Sequence, residues 1–124
     1  MPDAAFDRAT FLRLRDLVLS VPLPRHVAAY AVRLCGASRP DANQTDKYVK
    51  NYVSWGAGPR GSQNLVLAAK AKALLEGRAA PTVDDVRSAA VPVLRHRVLV
   101  NHRAVGDSVS NIDVVEHLLR EVAA

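Results

Sequence analysis

Between the pair Gly58-Pro59 and the glycine at position 77 runs a segment that is apolar nearly all round a helix, through Leu65, Val66, Leu67, Ala68, Ala69, Ala71, Ala73, Leu74 and Leu75. A helix with one wet face carries an apolar stripe, whereas one without such a face is buried on several sides. Pro59 suits the first turn, because its missing N–H is one of the donors left unpaired there and its fixed φ is already helical. Gly77 supplies the stop. A chain built on such a central helix needs other helices to surround it.

The rest of the sequence supplies them. Phe11, Leu14, Val18 and Val21 recur at helical spacing until Pro22 and Pro24 interrupt the pattern. Pro24 then suits the first turn of a second helix with Val27, Tyr30, Ala31, Leu34 and Cys35 on one face, and Gly36 is the expected stop. Residues 36–44 are polar and turn-forming, so they read as a surface loop. Thr45 or Asp46 can cap a short third helix with Tyr48, Val49, Tyr52 and Val53 inward, ended by Gly56 and Gly58. Beyond the central helix, Thr82 and Asp85 form a variant capping box for a helix through Val86, Ala89, Ala90, Val93 and Leu94, which Pro92 is expected to kink or divide. Val98-Leu99-Val100 can extend that helix or form a short extended piece. Ser110 and Asp113 open a last helix whose face is Ile112, Val115, Leu118, Leu119 and Val122.

The expected fold is therefore all-α, a single compact bundle of about six helices over residues 1–124. Composition agrees: 49% of residues are hydrophobic but only 5% aromatic, so the core is built from Leu, Val and Ala, which favours packed helices over a sandwich. No apolar stretch is long enough to span a membrane, and Met1-Pro2-Asp3 lacks the layout of a signal peptide, so the expected location is the cytoplasm. The lone cysteine, Cys35, reads as a small buried hydrophobe. A formal charge of +5 permits an anionic partner, nucleotide phosphate or nucleic acid, without choosing between them. The basic residues are spread along the chain rather than gathered into a nucleic-acid arm.

Gly56-Ala57-Gly58-Pro59-Arg60-Gly61 matches the letters G-x-G-x-x-G. That fingerprint needs a preceding strand and bare amides facing pyrophosphate; here the spacing before it is helical and Pro59 has no N–H. What survives is a loop of Gly58, Pro59 and Gly61, made a flexible hinge by its glycines, that delivers Arg60 to a helix start. There the unpaired N–H groups, the partial positive charge of the helix and a guanidinium can together hold an anion. The alternative is ordinary helix punctuation, although a cation at this end opposes the helix dipole by a few tenths to about 1 kcal/mol.

Other candidates are weaker. His26, His96, His102 and His117 show no zinc spacing. Arg95, His96 and Arg97 read either as a contact with a neighbouring domain or subunit or, the favoured reading, as a structural helix end whose basic groups satisfy carbonyls and complement the helix dipole. Trp55 could stack on a nucleotide base, but burial is expected of the single Trp in an aromatic-poor chain. No serine has the spaced His and acid partners of a nucleophile.

The run from Tyr52 through Trp55-Gly56-Ala57-Gly58-Pro59-Arg60-Gly61 to Ala71, with Leu74-Leu75-Glu76-Gly77-Arg78, Asp84-Asp85-Val86-Arg87 and Val93-Leu94-Arg95-His96-Arg97, resembles the C-terminal lid of MoxR-family AAA+ ATPases. The resemblance extends over essentially the whole chain. It implies an AAA+ lid bundle, with Arg60 as the sensor 2 arginine that contacts the γ-phosphate of ATP. It implies also that ATP and Mg are bound mainly by a P-loop core outside this chain. Implied partners are that core, a homo-oligomeric ring, and a substrate or adaptor protein such as one with a von Willebrand A domain. Residues 78–82 depart from the family pattern of aromatic or branched residues before the capping Thr, which is expected to weaken packing there. No G-x-x-x-x-G-K-[ST] occurs, and Asp84-Asp85 follows a turn rather than an apolar strand, so the chain is no ATPase by itself. It is expected to be a fragment of a longer ATPase or a stand-alone remnant. The competing reading is a small basic helical module that binds nucleic acid through phosphate contacts.

Overall fold

The computed structural model describes residues 3–42 and 46–124. Among them are seven helices and two very short strands: α1 (Arg8–Ser20), α2 (Arg25–Ala37), α3 (Lys47–Tyr52), β1 (Val53–Trp55), α4 (Pro59–Leu75), α5 (Val83–Leu94), β2 (Leu99–Val100), α6 (His102–Gly106) and α7 (Asn111–Glu121). The all-α bundle expected from the sequence is what the chain forms. Met1 and Pro2, the loop positions 43 and 44 and the alternative cap Thr45 lie outside the described residues.

α4 is the central helix. It packs against α2, α5 and α1, while α7 closes the other side against α5 and α2. The core draws Tyr30 and Leu34 from α2, Leu65 and Ala69 from α4, Val86 and Leu94 from α5, and Val115 and Leu118 from α7. Each large side chain so buried contributes about 1.5–3 kcal/mol. The Tyr30 hydroxyl, inside this core, accepts a hydrogen bond from Arg87 Nη1 at 2.9 Å, which satisfies the one polar atom its ring brings inward.

The helix starts are cut where their chemistry says. Both capping boxes are complete: Thr82 and Asp85 cap α5, Ser110 and Asp113 cap α7. Asp46 caps α3 by accepting from the Val49 N–H at 2.8 Å. The run at 98–100 resolves as an extended piece: β2 pairs antiparallel with β1, Val53 opposite Val100 and Trp55 opposite Leu99, with a bulge between.

Several expectations are corrected. α2 runs past Gly36 to Ala37, and Ser38, in a right-handed helical conformation, is its cap. α3 ends at Tyr52, where the chain turns into β1, rather than at Gly56 and Gly58. Pro92 sits inside an unbroken α5; it lies two residues from the helix end, and the carbonyl it leaves without a donor belongs to exposed Ser88. Ile112 is 37% exposed, and Val114 takes its place on the inner face of α7. α1 buries no residue at all. The segment 78–82 is tied down, with Pro81 buried and Arg78 forked onto Asp85. α6, capped by Asn101, has no counterpart in the sequence reading. No helix among the described residues is long and apolar enough to cross a membrane.

Candidate functional site

The start of α4 is held from below by a buried serine. Ser38 donates to the Cys35 carbonyl at 2.6 Å and accepts the Ala57 N–H at 2.8 Å. Arg39 Nε donates to the Ala57 carbonyl at 2.9 Å. Both polar groups of Ala57 are thus fixed to the turn that follows α2. Gly56 permits this approach: a Cβ there would lie 2.5 Å from the Ser38 carbonyl oxygen and 2.7 Å from the Arg39 Cα, both backbone atoms. At Gly61, a Cβ would press to 3.1 Å on Ala57, 3.2 Å on Cys35 Sγ and 3.3 Å on Leu94. Small residues at 56 and 61 therefore seat the first turn of α4 against α2 and α5.

Gly58 plays a different part. It is the N-cap, extended at φ −92°, with open space where a side chain would be. Its conformation demands no glycine, and the helix begins without a side-chain cap. Pro59 follows at the first helical position. The loop is thus a fixed seat rather than the flexible hinge its glycines suggested.

Arg60, next in line, is exposed. Among the described residues no hydrogen bond or ion pair engages its guanidinium, on a helix end whose dipole disfavours a cation. A planar fork of donors held this way matches phosphate or carboxylate oxygens. Beside the seat opens a cleft of about 340 Å³ lined by Arg39, Pro40, Asp41, Ser54, Trp55, Gly56, Gly58 and Pro59. Trp55 is 70% exposed, against the burial expected of it. On so short a strand only Val53 reaches the core, and Trp55 lies with Leu99, 57% exposed, across the bulged pair.

Arg95, His96 and Arg97 form the turn after α5. Arg95 is the C-cap and its Nε donates to His96 Nε2 at 3.2 Å. The helix end is tied by backbone and by a neighbour: the Arg97 N–H donates to the Leu94 carbonyl at 2.9 Å, and Asn111 Nδ2 donates to the Arg95 carbonyl. Among the described residues neither arginine side chain bonds an α5 carbonyl, so what the helix-end reading keeps is the complement that their charge gives the dipole at the end of α5. His96 and Arg97 line a groove with Pro92, Val93 and Asn64. Asn64 stands one helical turn after Arg60, so the two basic sets singled out in the sequence border the same surface. Asn64 was not singled out there; its i+4 spacing from Arg60 was the available signal.

Cys35 is buried, as expected, and burial pushes its thiol above the ordinary range. Among the described residues no group of three or more His, Cys, Asp or Glu side chains is placed to hold a metal ion.

Residues 45–118 match the family model of the AAA lid domain. Over 112 residues the chain is 32% identical to Chaperone MoxR1 of Mycobacterium tuberculosis, covering 90% of this chain and 30% of that protein. A 49-residue stretch is 50% identical to Protein MoxR of Paracoccus denitrificans, covering 40% of this chain and 14% of that one. The fold superposes with a TM-score of 0.84, at 28% identity, on the crystal structure of a presumed ATPase from Cytophaga hutchinsonii, over 90% of this chain and 34% of that one. The chain spans about a third or less of the length of these relatives. With the helical bundle, the seated helix start and these matches in agreement, the chain belongs to the AAA lid domain family, as a lid of the MoxR type.

Proposed function

We propose that residues 1–124 are the lid of a longer MoxR-type ATPase, and that Arg60 is its sensor 2 arginine, reporting the γ-phosphate of ATP to the lid. The observation that carries this is the exposed Arg60 guanidinium, without an intramolecular partner among the described residues, on a helix start that Ser38, Gly56 and Gly61 make rigid. A rigid seat makes the arginine useful, because a charge-assisted bond displaces the lid only if the helix follows the side chain. ATP and ADP differ at the terminal phosphate, so Arg60 binds the two states unequally, and that difference is what tilts a lid.

In this reading ATP and Mg are held mainly by a P-loop core. Arg60 fits the phosphate, and among the described residues no group of three or more His, Cys, Asp or Glu side chains is placed to hold the ion; in this reading the lid's residues bind and position the nucleotide. The core can be that of the same subunit or of a neighbour in a homo-oligomeric ring. The lid's movement would serve chaperone-like remodelling of a partner protein, a von Willebrand A-domain protein being one such partner, in the cytoplasm.

The test is Arg60→Ala and Arg60→Lys in the longer ATPase. Loss of a charged donor to the transferring phosphate lowers turnover by about 10²-fold or more, and Lys restores little because it lacks the bidentate fork. Unchanged turnover together with unchanged nucleotide-dependent assembly would remove the assignment.

A further inference from the structure

The end of α5 lies beside the start of α4. Leu94 Cδ2 is 3.3 Å from the place that a Cβ on Gly61 would take, so the chain leaves this contact toward Arg60 on one side, a residue before Gly61, and toward Arg97 on the other, past the end of α5. Burial raises the Cys35 thiol, against a hydrogen bond with Ser62 and the charges of Arg39 and Arg97, and Cys35 Sγ is 3.2 Å from that same Cβ position. The charge of Arg97 is therefore felt at the first turn of α4.

Arg97 is half-buried, and among the described residues no hydrogen bond or ion pair engages its guanidinium. Partial burial takes hydration from a cation, and the dipole at the end of α5 suits its charge without giving its N–H groups an acceptor. Arg97 lines a groove of about 570 Å³ with His96, Pro92 and Val93, and Asn64 of α4 is its other wall. The Asn64 side-chain amide is likewise unengaged among the described residues, and it stands about 6 Å along α4 from Arg60. His96 is taken up already, since Arg95 Nε donates to its Nε2 at 3.2 Å. The groove thus offers a free cation and a free amide beside the Arg60 guanidinium, and its lining holds no carboxylate.

We propose that Arg97, with Asn64, is a second phosphate-binding element of the lid and closes on the same terminal phosphate as Arg60. The inference rests on the sensor reading of Arg60. A terminal phosphate carries more acceptor oxygens than one planar fork can fill, and a second guanidinium arriving from the end of α5 fills the remainder. A nucleic-acid strand is the poorer source of the phosphate, because it needs cations in line along its backbone and the basic residues here are spread along the chain.

Binding of a non-hydrolysable ATP analogue and of ADP to the longer ATPase, measured for Arg97→Ala, Arg60→Ala and the double variant, tests this. Arg97→Ala should weaken the analogue roughly tenfold and leave ADP unchanged, and the double variant should depart several-fold from the product of the single losses. In the 124-residue chain, inorganic triphosphate should shift the NMR signals of Arg97 Nε, Arg60 Nε and the Asn64 side-chain amide on one saturating curve. An Arg97→Ala that is silent toward both ligands, or that weakens both equally as a merely structural residue would, overturns the proposal. So does duplex DNA that moves the same signals to saturation at physiological salt while triphosphate does not. The two readings fail separately. If Arg60→Ala is silent while Arg97→Ala weakens the analogue alone, the sensor assignment fails and the Arg97 site stands; if only Arg60→Ala weakens it, the second element fails and the sensor stands.

Discussion

Replacing Asp85 by Asn should measure how much of the fold depends on the fork between α4 and α5. The Asp85 side chain is 3% exposed. It accepts from Arg78 Nη1 at 2.6 Å and Nη2 at 2.7 Å, and from the Thr82 N–H at 2.8 Å. The Arg78 guanidinium, more than the cap, pulls its carboxyl down from 3.8 to about 2. Holding a carboxylate that far below its unfolded value corresponds to about 2.4 kcal/mol at neutral pH. Arg78 is 34% exposed, so water screens part of this, and about 1–2 kcal/mol is the working figure. For a chain of this size that is a fall of about 4–8 °C in Tm. Because the folded pKa is depressed, the stabilisation is whole above the unfolded value and is lost as pH drops through the folded one. Thermal melts of both proteins should therefore differ most at neutral pH and converge between about pH 4 and pH 2. A neutral-pH difference under about 2 °C, or one that stays constant down to pH 2, would refute the assignment of this stability to the ionised fork.

The remaining expectations concern the seat of α4 and its surroundings. Gly56→Ala drives a methyl into the 38–39 backbone and should destabilise by about 1–3 kcal/mol, whereas Gly58→Ser, entering open space at an N-cap, should be neutral or stabilise by roughly a few tenths of a kcal/mol; chemical denaturation of both separates a steric requirement from a hinge. Ser38→Ala leaves the Ala57 N–H buried without an acceptor, so denaturation should show a loss of about 1–3 kcal/mol. Trp55 fluorescence should be quenched readily by iodide in the native chain, and quenching no stronger than that of a buried indole would contradict its position at the cleft.

Legibility in the sequence followed the length over which a physical rule acts. The capping boxes at Thr82 and Ser110 and the cap at Asp46 were readable because each uses a donor and an acceptor within three residues of one another, and Pro59 because its fixed φ and missing N–H suit a helix start by themselves. The place of Arg60 in the first turn of a helix was readable because the Gly58-Pro59 start is local. Trp55 was misread because area alone argues for burial, while its position depends on a two-strand pairing that brings residue 99 beside it. The roles of Ser38 and Gly56 left no local trace: their partners come from the turn after α2 and the loop before α4. α6 is five residues long, too short for periodicity to register. The exposed face of α1 has the same spacing as a buried one, and only the arrangement of the other helices reveals which it is.

The most direct measurement is the affinity of the longer ATPase for a non-hydrolysable ATP analogue and for ADP, each with and without Arg60→Ala. A guanidinium that grips only the terminal phosphate contributes about 1.5–3 kcal/mol to the first and nothing to the second. The substitution should therefore weaken the triphosphate by about 10- to 150-fold and leave ADP unmoved. Equal losses for both ligands, or none for either, would mean that Arg60 does not read the γ-phosphate.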